Sequence, residues 1–182
     1  KLKTLIPLLL LATVLFMVVA LYNGYPLVEG DTGAYLERGI LGGIPPDRSP
    51  FYSWFVRYTA MWTSLWFPIV VQSFVISWLL YKYIKYFAGI HLDGMQMGIS
   101  PNAGSGYNAG SKVQHLPAFF VFNTVIVVAF TCAIWVTPYL MPDVFTAALM
   151  LATLLFLVVP PGKAGSVAGY ALLLYALLIL HN

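Results

Sequence analysis

From Thr4 to Tyr22 the chain carries no charged side chain, and neither do residues 116–136, 144–159 and 165–180. Residues 65–87 carry only Lys82 and Lys85, both near the end of the run. A helix needs about 20 apolar residues to cross the roughly 30 Å hydrocarbon layer of a bilayer, and these runs match or approach that length. They are continuous rather than alternating, which excludes the strands of a membrane barrel. In lipid a continuous run satisfies its own backbone groups only as a helix. The sequence therefore predicts an all-α, polytopic membrane protein with about five transmembrane helices, at 4–22, 65–87, 116–136, 144–159 and 165–180. Composition agrees: 60% of residues are hydrophobic and 8% charged, against roughly 25% charged in soluble domains. The mean hydropathy is +0.85. A net charge of +3 is too small and too scattered for a nucleic-acid partner.

Lysine placement predicts orientation. Lys1 and Lys3 precede the first span, Lys82, Lys85 and Lys112 lie between the second and third, and Lys163 lies between the fourth and fifth. All fall on one side, assigned to the cytoplasm, so the N-terminus is cytoplasmic and the C-terminus outside, as in a bacterial inner-membrane protein. The first run is longer than the roughly 7–15-residue apolar region of a signal peptide and no A-x-A site follows, so it reads as an uncleaved anchor. Residues 94–114, rich in Gly, Ser and Asn, read as part of a flexible cytoplasmic connection over 88–115. Residues 158–166 read as a tight turn without the phosphate-binding G-x-x-x-x-G-K-[ST] pattern. The lone Cys132 reads as a small buried side chain.

Charge is concentrated in one place. Glu29, Asp31, Glu37 and Asp47, four of the six acidic residues, lie with Arg38, Arg48 and Arg57 in the first outer loop and the helix that follows it. Within 23–64 the sequence predicts two interfacial helices. One covers Gly33–Leu41, capped by Asp31 or Thr32. The other starts near Ser49 with Pro50 in its first turn and carries Phe51, Tyr52, Trp54, Phe55, Tyr58 and Trp62, rings that suit headgroup depth. Two readings compete. In one, Asp31 is a general base or a ligand for Mg²⁺ or Mn²⁺. Arg48 and Arg57 then bind phosphate, which a planar guanidinium fork can hold in bidentate fashion. Tyr35 and Tyr52 line an acceptor or headgroup pocket. In the other, the loop is solvated, Asp31 only caps a helix, and the aromatic rings are anchors. Arg57 favours the first, because a charge in a membrane-adjacent helix is costly without a partner.

The pattern D-x-x-x-Y at Asp31–Tyr35, a glycine-containing gap, and then "PP…SPFYSWF" resembles the first extracytoplasmic loop of GT-C fold glycosyltransferases. In lipid A aminoarabinose transferases and protein mannosyltransferases that loop has an Asp-Glu-x-x-Tyr-like motif followed by a Pro-Pro-Leu-Tyr-like stretch. Asp31 and Tyr35 match the first, and Pro50, Phe51 and Tyr52 the second. Thr32 stands where many members have Glu, which bears on metal binding. The loop also resembles the "DTGxY…DRPxFY"-like loop of other multi-span membrane proteins. The resemblance covers residues 1–87 and implies transfer of a sugar from a polyprenyl-phosphate donor on the outer face. Such enzymes usually have more than seven spans, so five spans imply a fragment or a reduced relative.

Other motifs add little. His91, His115 and His181 lack metal-ligand spacing, and no G-x-S-x-G nucleophile elbow is present. Gly165 and Gly169 form a G-x-x-x-G at the start of the last span, suited to intramolecular packing. Gln72, Ser73, Ser77, Asn123, Thr124 and Thr131 are expected to bond to neighbouring helices, and Pro68 to kink the second span. The absence of charge deep in any span argues against ion-coupled transport. Three functions follow in order: a GT-C-like glycosyltransferase or a fragment of one; a non-catalytic subunit of a larger membrane complex; a transporter or flippase component. The expected partners are membrane lipids, the lipid-linked sugar and other membrane subunits.

Overall fold

The computed structural model describes residues 2–41, 50–60, 63–97, 116–158 and 164–181. These form helices α1 (Leu2–Phe16), α2 (Val18–Asn23), α3 (Gly30–Leu41), α4 (Pro50–Ala60), α5 (Trp66–Met97), α6 (Leu116–Phe130), α7 (Ala133–Val136), α8 (Val144–Val158) and α9 (Ala164–His181). The only strand-like feature among the described residues is an isolated bridge between Leu27 and Tyr139. The all-helical expectation therefore holds. By length and composition, one helix among the described residues can cross a membrane, over Trp66–Tyr86; Thr4–Phe16, Leu116–Phe130 and Val144–Leu157 are shorter apolar helices.

The first apolar run is almost one helix. It breaks only at Met17, whose N–H is shared between the carbonyls of Thr13 and Val14, both at 3.1 Å. One turn earlier the Thr13 hydroxyl donates to the Leu9 carbonyl (2.8 Å), a back-bond of the kind that bends helices. Gly24 ends α2 with φ +77°, a left-handed conformation that glycine adopts without a Cβ penalty. Helix α5 runs on to Met97, into the segment expected as loop from residue 88. Extending an established helix gains one hydrogen bond per residue fixed, so polar residues follow on once α5 is nucleated. The rest of that expected loop, 98–115, lies outside the described residues.

Helix α5 is the hub: α1, α4, α6 and α8 pack on it, and α8 pairs with α9. The core joins Leu9, Ala12 and Phe16 of α1, Leu79 and Leu80 of α5, Phe120 and Val128 of α6, Phe145, Ala148 and Ala152 of α8, and Leu177 of α9. Ala148 and Ala152 are fully buried and form a small-x-x-x-small pair that lets backbones approach closely. Gly169 does not serve that purpose. It is exposed, and a Cβ built on it meets nothing within 4 Å. Cys132 is likewise exposed rather than buried, because the chain leaves α6 two residues earlier.

Most polar side chains in the long helices bond within their own helix. Ser77 donates to the Ser73 carbonyl (2.8 Å), Thr124 to Phe120 (2.9 Å), Asn123 to Phe119 (2.8 Å) and Thr131 to Val127 (2.6 Å). This corrects the expectation of bonds between helices. Short hydroxyls reach the carbonyl four residues back more easily than a neighbouring helix. Gln72 is different, and it belongs to the candidate site.

Candidate functional site

Helices α3 and α4 sit at one end of the bundle with residues 137–143. Chain pairing begins there at Leu27, whose N–H donates to the Pro138 carbonyl (3.2 Å) and whose carbonyl accepts from Leu140 N–H (3.0 Å). Thr32 fastens the start of α3 to the same strip. Its hydroxyl donates to the Leu140 carbonyl (3.2 Å) and accepts from Glu29 N–H (2.9 Å). Thr32 thus accepts a free backbone N–H, as expected of a capping residue, but at Glu29, and α3 starts at Gly30 rather than Gly33.

Gln72 ties the strip to the bundle. It is fully buried, and its side-chain nitrogen donates to the carbonyls of Thr137 (2.5 Å) and Tyr139 (2.7 Å). Its carbonyl oxygen accepts from the Tyr52 hydroxyl at 3.5 Å. Both amide donors and the acceptor are therefore used, so one side chain joins α4, α5 and the 137–140 strip. Nearby on the same two helices, the Ser53 and Ser73 hydroxyls are buried with no hydrogen-bond partner among the described residues.

Helix α4 begins at Pro50, the first-turn position that tolerates a missing N–H. The turn that follows it is closed by bonds from Thr63 N–H (2.9 Å) and Ser64 N–H (3.2 Å) to the Ala60 carbonyl. The Ser64 hydroxyl accepts from Trp66 N–H (3.3 Å) at the start of α5. With Tyr52 against Gln72, α4 folds back antiparallel along the first two turns of α5. Tyr52 is 1% exposed. Its ring packs edge-on to Tyr35 (centroids 5.2 Å) and Phe145 (6.2 Å), and Phe55 meets Phe145 at 5.3 Å. Burial, then Tyr35 and Asp143, push the Tyr52 hydroxyl above its ordinary pKa, which keeps it protonated and able to donate. Tyr52 is therefore part of the hydrophobic core.

Helix α3 packs on α4 at Gly39. A Cβ there would lie 2.9 Å from the Ser53 carbonyl oxygen, so only glycine allows this approach. Arg57 closes the contact by donating to the Gly39 carbonyl (3.2 Å). Beside it is a pocket of about 250 Å³, lined by Leu36, Gly39 and Ile40 of α3, Val56, Arg57 and Ala60 of α4, and Thr63, Ser64 and Leu65 of the turn. Its walls are mostly apolar, with Arg57 as the charged group among the described lining residues.

Asp31 is exposed in the first turn of α3, a position where a carboxylate complements the helix dipole. It stands eight residues before Gly39, about 12 Å along the axis at 1.5 Å per residue. Tyr35 lies between them, half-buried against Tyr52. Arg48 lies outside the described residues. Of the five residues predicted from sequence, the structure thus joins Tyr35 with Tyr52, puts Arg57 on the pocket, and leaves Asp31 at the far end of α3. Among the described residues no group of three or more His, Cys, Asp or Glu is placed to hold a metal. Arg38, read from sequence as a loop charge, is 8% exposed. Gly39 gave no sequence signal, because a glycine in a helical pattern looks alike whether a neighbour crowds it or not.

The class defined by these features is an all-helical chain with, among the described residues, one helix long and apolar enough to cross a membrane. No family model matches it, and no curated protein or solved structure is significantly similar.

Proposed function

We propose that the chain is a multi-pass protein of the inner membrane, with about five spans, the lysine-bearing connections inside, and α3 and α4 on the outer face. We propose further that this face carries a GT-C-like glycosyl-transfer site, or a part of one, that takes a sugar from a polyprenyl-phosphate donor. The observation that carries the reading is the α3–α4 pocket, which combines apolar walls with the Arg57 guanidinium. A lipid-linked sugar phosphate is an amphiphile of that description. Guanidinium groups bind phosphate through charge-assisted bonds.

In this reading an acceptor hydroxyl or amine attacks the anomeric carbon while Asp31 takes its proton. The bond from that carbon to the phosphate oxygen breaks, and the phosphate leaves with the electron pair, stabilised by Arg57 and Arg48. Tyr35 lines the space between, and Tyr52 holds α4 in place. The roughly 12 Å between Asp31 and Gly39 sets a condition. In this reading Arg48 carries the phosphate towards Asp31. A divalent cation, if used, would bind at Asp31.

The test is transfer from a labelled polyprenyl-phosphate sugar by purified, reconstituted protein. Asp31→Asn is expected to lower the rate on the order of 10²–10⁴-fold, the usual contribution of a positioned base, and Arg57→Gln to weaken donor binding. Full activity in both variants would overturn the reading. A second reading, a non-catalytic subunit of a membrane complex, is favoured by the exposed face of α9, where Leu172 and Tyr175 are 71% and 65% exposed. It predicts stoichiometric co-purification with other chains.

A further inference from the structure

We infer that the outward stripe of α4 (Phe51, Trp54 and Tyr58) is seated at the boundary between headgroups and acyl chains of the outer leaflet, with lipid as its occupant. The inference rests on the multi-pass reading but not on glycosyl transfer. At 100° per residue, positions 52, 56 and 60 share one face of α4, and 51, 54 and 58 the opposite one. The first face is buried, at 1%, 3% and 8% exposure for Tyr52, Val56 and Ala60. The second is open, at 38%, 50% and 75% for Phe51, Trp54 and Tyr58. Phe51 and Trp54 already pack edge-on, with centroids 5.5 Å apart, so the stripe has a fixed shape. Rings with an apolar body and a polar tip favour the membrane–water boundary, where both parts are satisfied.

Lipid is distinguished from a protein partner by continuity around the bundle. Tyr22 (90% exposed) and Tyr25 (58%), at and just beyond the end of α2, and Trp135 (57%) of α7 present rings at this same end. Those elements pack on α1, whereas α4 packs on α5 and α9. The exposed rings thus belong to elements packed on different helices, and a lipid boundary around this end meets them all. The depth also fits, because Tyr52 faces Gln72, about 9 Å along α5 from Trp66 at 1.5 Å per residue. Helix α4 therefore lies beside the first turns of the Trp66–Tyr86 span and not at its middle. Arg57 adjoins the stripe, where anionic lipid phosphates would attract it.

The test uses full-length variants that keep either Trp54 or Trp78 as the sole tryptophan, in phosphatidylcholine vesicles with bromine near the headgroups or near the chain ends. Trp54 is expected to be quenched more by shallow than by deep bromine and little by aqueous iodide. Trp78, near the middle of the Trp66–Tyr86 span, reports in the same vesicles whether α5 is inserted. If bromine quenches Trp78 and not Trp54, the inference is overturned and the membrane reading stands. If it quenches neither, both fall. A Trp54 shielded from bromine and iodide alike means a protein covers the stripe, which also overturns the inference. Should the multiple Trp→Phe backgrounds not fold, a nitroxide on Tyr58→Cys in a Cys132→Ser chain gives the same depth. Greater accessibility to oxygen than to aqueous nickel supports the inference, and the reverse refutes it.

Discussion

Gln72 and Tyr52 carry most of the tertiary specificity at the residue scale. Each is a polar group placed where water is excluded, and each is satisfied by a partner far away in sequence. An unsatisfied buried donor or acceptor costs about 1–3 kcal/mol, so this bonding selects one arrangement of α4, α5 and the 137–140 strip. Tyr52 also makes stability depend on pH in a defined direction. Its hydroxyl pKa is raised in the folded state, whereas an unfolded tyrosine titrates near 10. The stabilisation is therefore complete below about pH 10. It is lost as pH rises further, because the unfolded chain then binds fewer protons than the folded one. Thermal unfolding of wild type and Tyr52→Phe in detergent should run parallel up to about pH 10, with wild type falling faster above it. Parallel curves throughout would show that Tyr52 does not titrate differently in the two states. From sequence Tyr52 reads as a pocket residue because an aromatic ring between Phe51 and Ser53 has no intrinsic side. Only the helix phase relative to α5 and α8 gives it one.

The α3–α4 pair is the unit at the element scale that brings Arg57 to a pocket, and its spacing depends on Gly39. Gly39→Ala places a methyl group 2.9 Å from the Ser53 carbonyl oxygen, and backbone cannot move aside as a flexible side chain would. Overpacking of this kind typically costs about 1–3 kcal/mol. The variant should show a lower unfolding midpoint and a weakened Arg57–Gly39 contact, whereas Gly33→Ala, with open space around it, should raise the midpoint slightly, because alanine favours a helix interior over glycine. Equal midpoints for the two variants would mean that α3 and α4 do not pack as described. Element identities were legible beforehand. Pro50 marks the start of α4, and the uncharged runs mark α1, α6, α8 and α9. The positions of breaks were less legible: Met17 looks like any apolar residue, and the bend beside it accompanies a Thr13 back-bond that exists only once the helix has formed.

At the scale of the whole molecule, apolar side chains cover much of the surface, with Leu10, Val14, Phe122, Met150 and Leu157 all at 45% exposure or more. Exposed apolar surface of this extent marks a membrane or partner contact. The proposed topology puts Asp143, exposed between α7 and α8, outside. A membrane-impermeant maleimide added to intact cells should label Asp143→Cys in a Cys132→Ser chain, and should not label Lys163→Cys in the same background until the membrane is opened. The opposite pattern would invert the topology, and labelling of both would exclude it. By itself the sequence determined helical class and the number and place of the apolar runs, because these follow from composition and period along one chain. Which polar groups meet was decided only in three dimensions. Gln72 with Thr137 and Tyr139, Thr32 with Leu140, and Gly39 against Ser53 are contacts between distant segments, and no local pattern encodes the packing that brings them together.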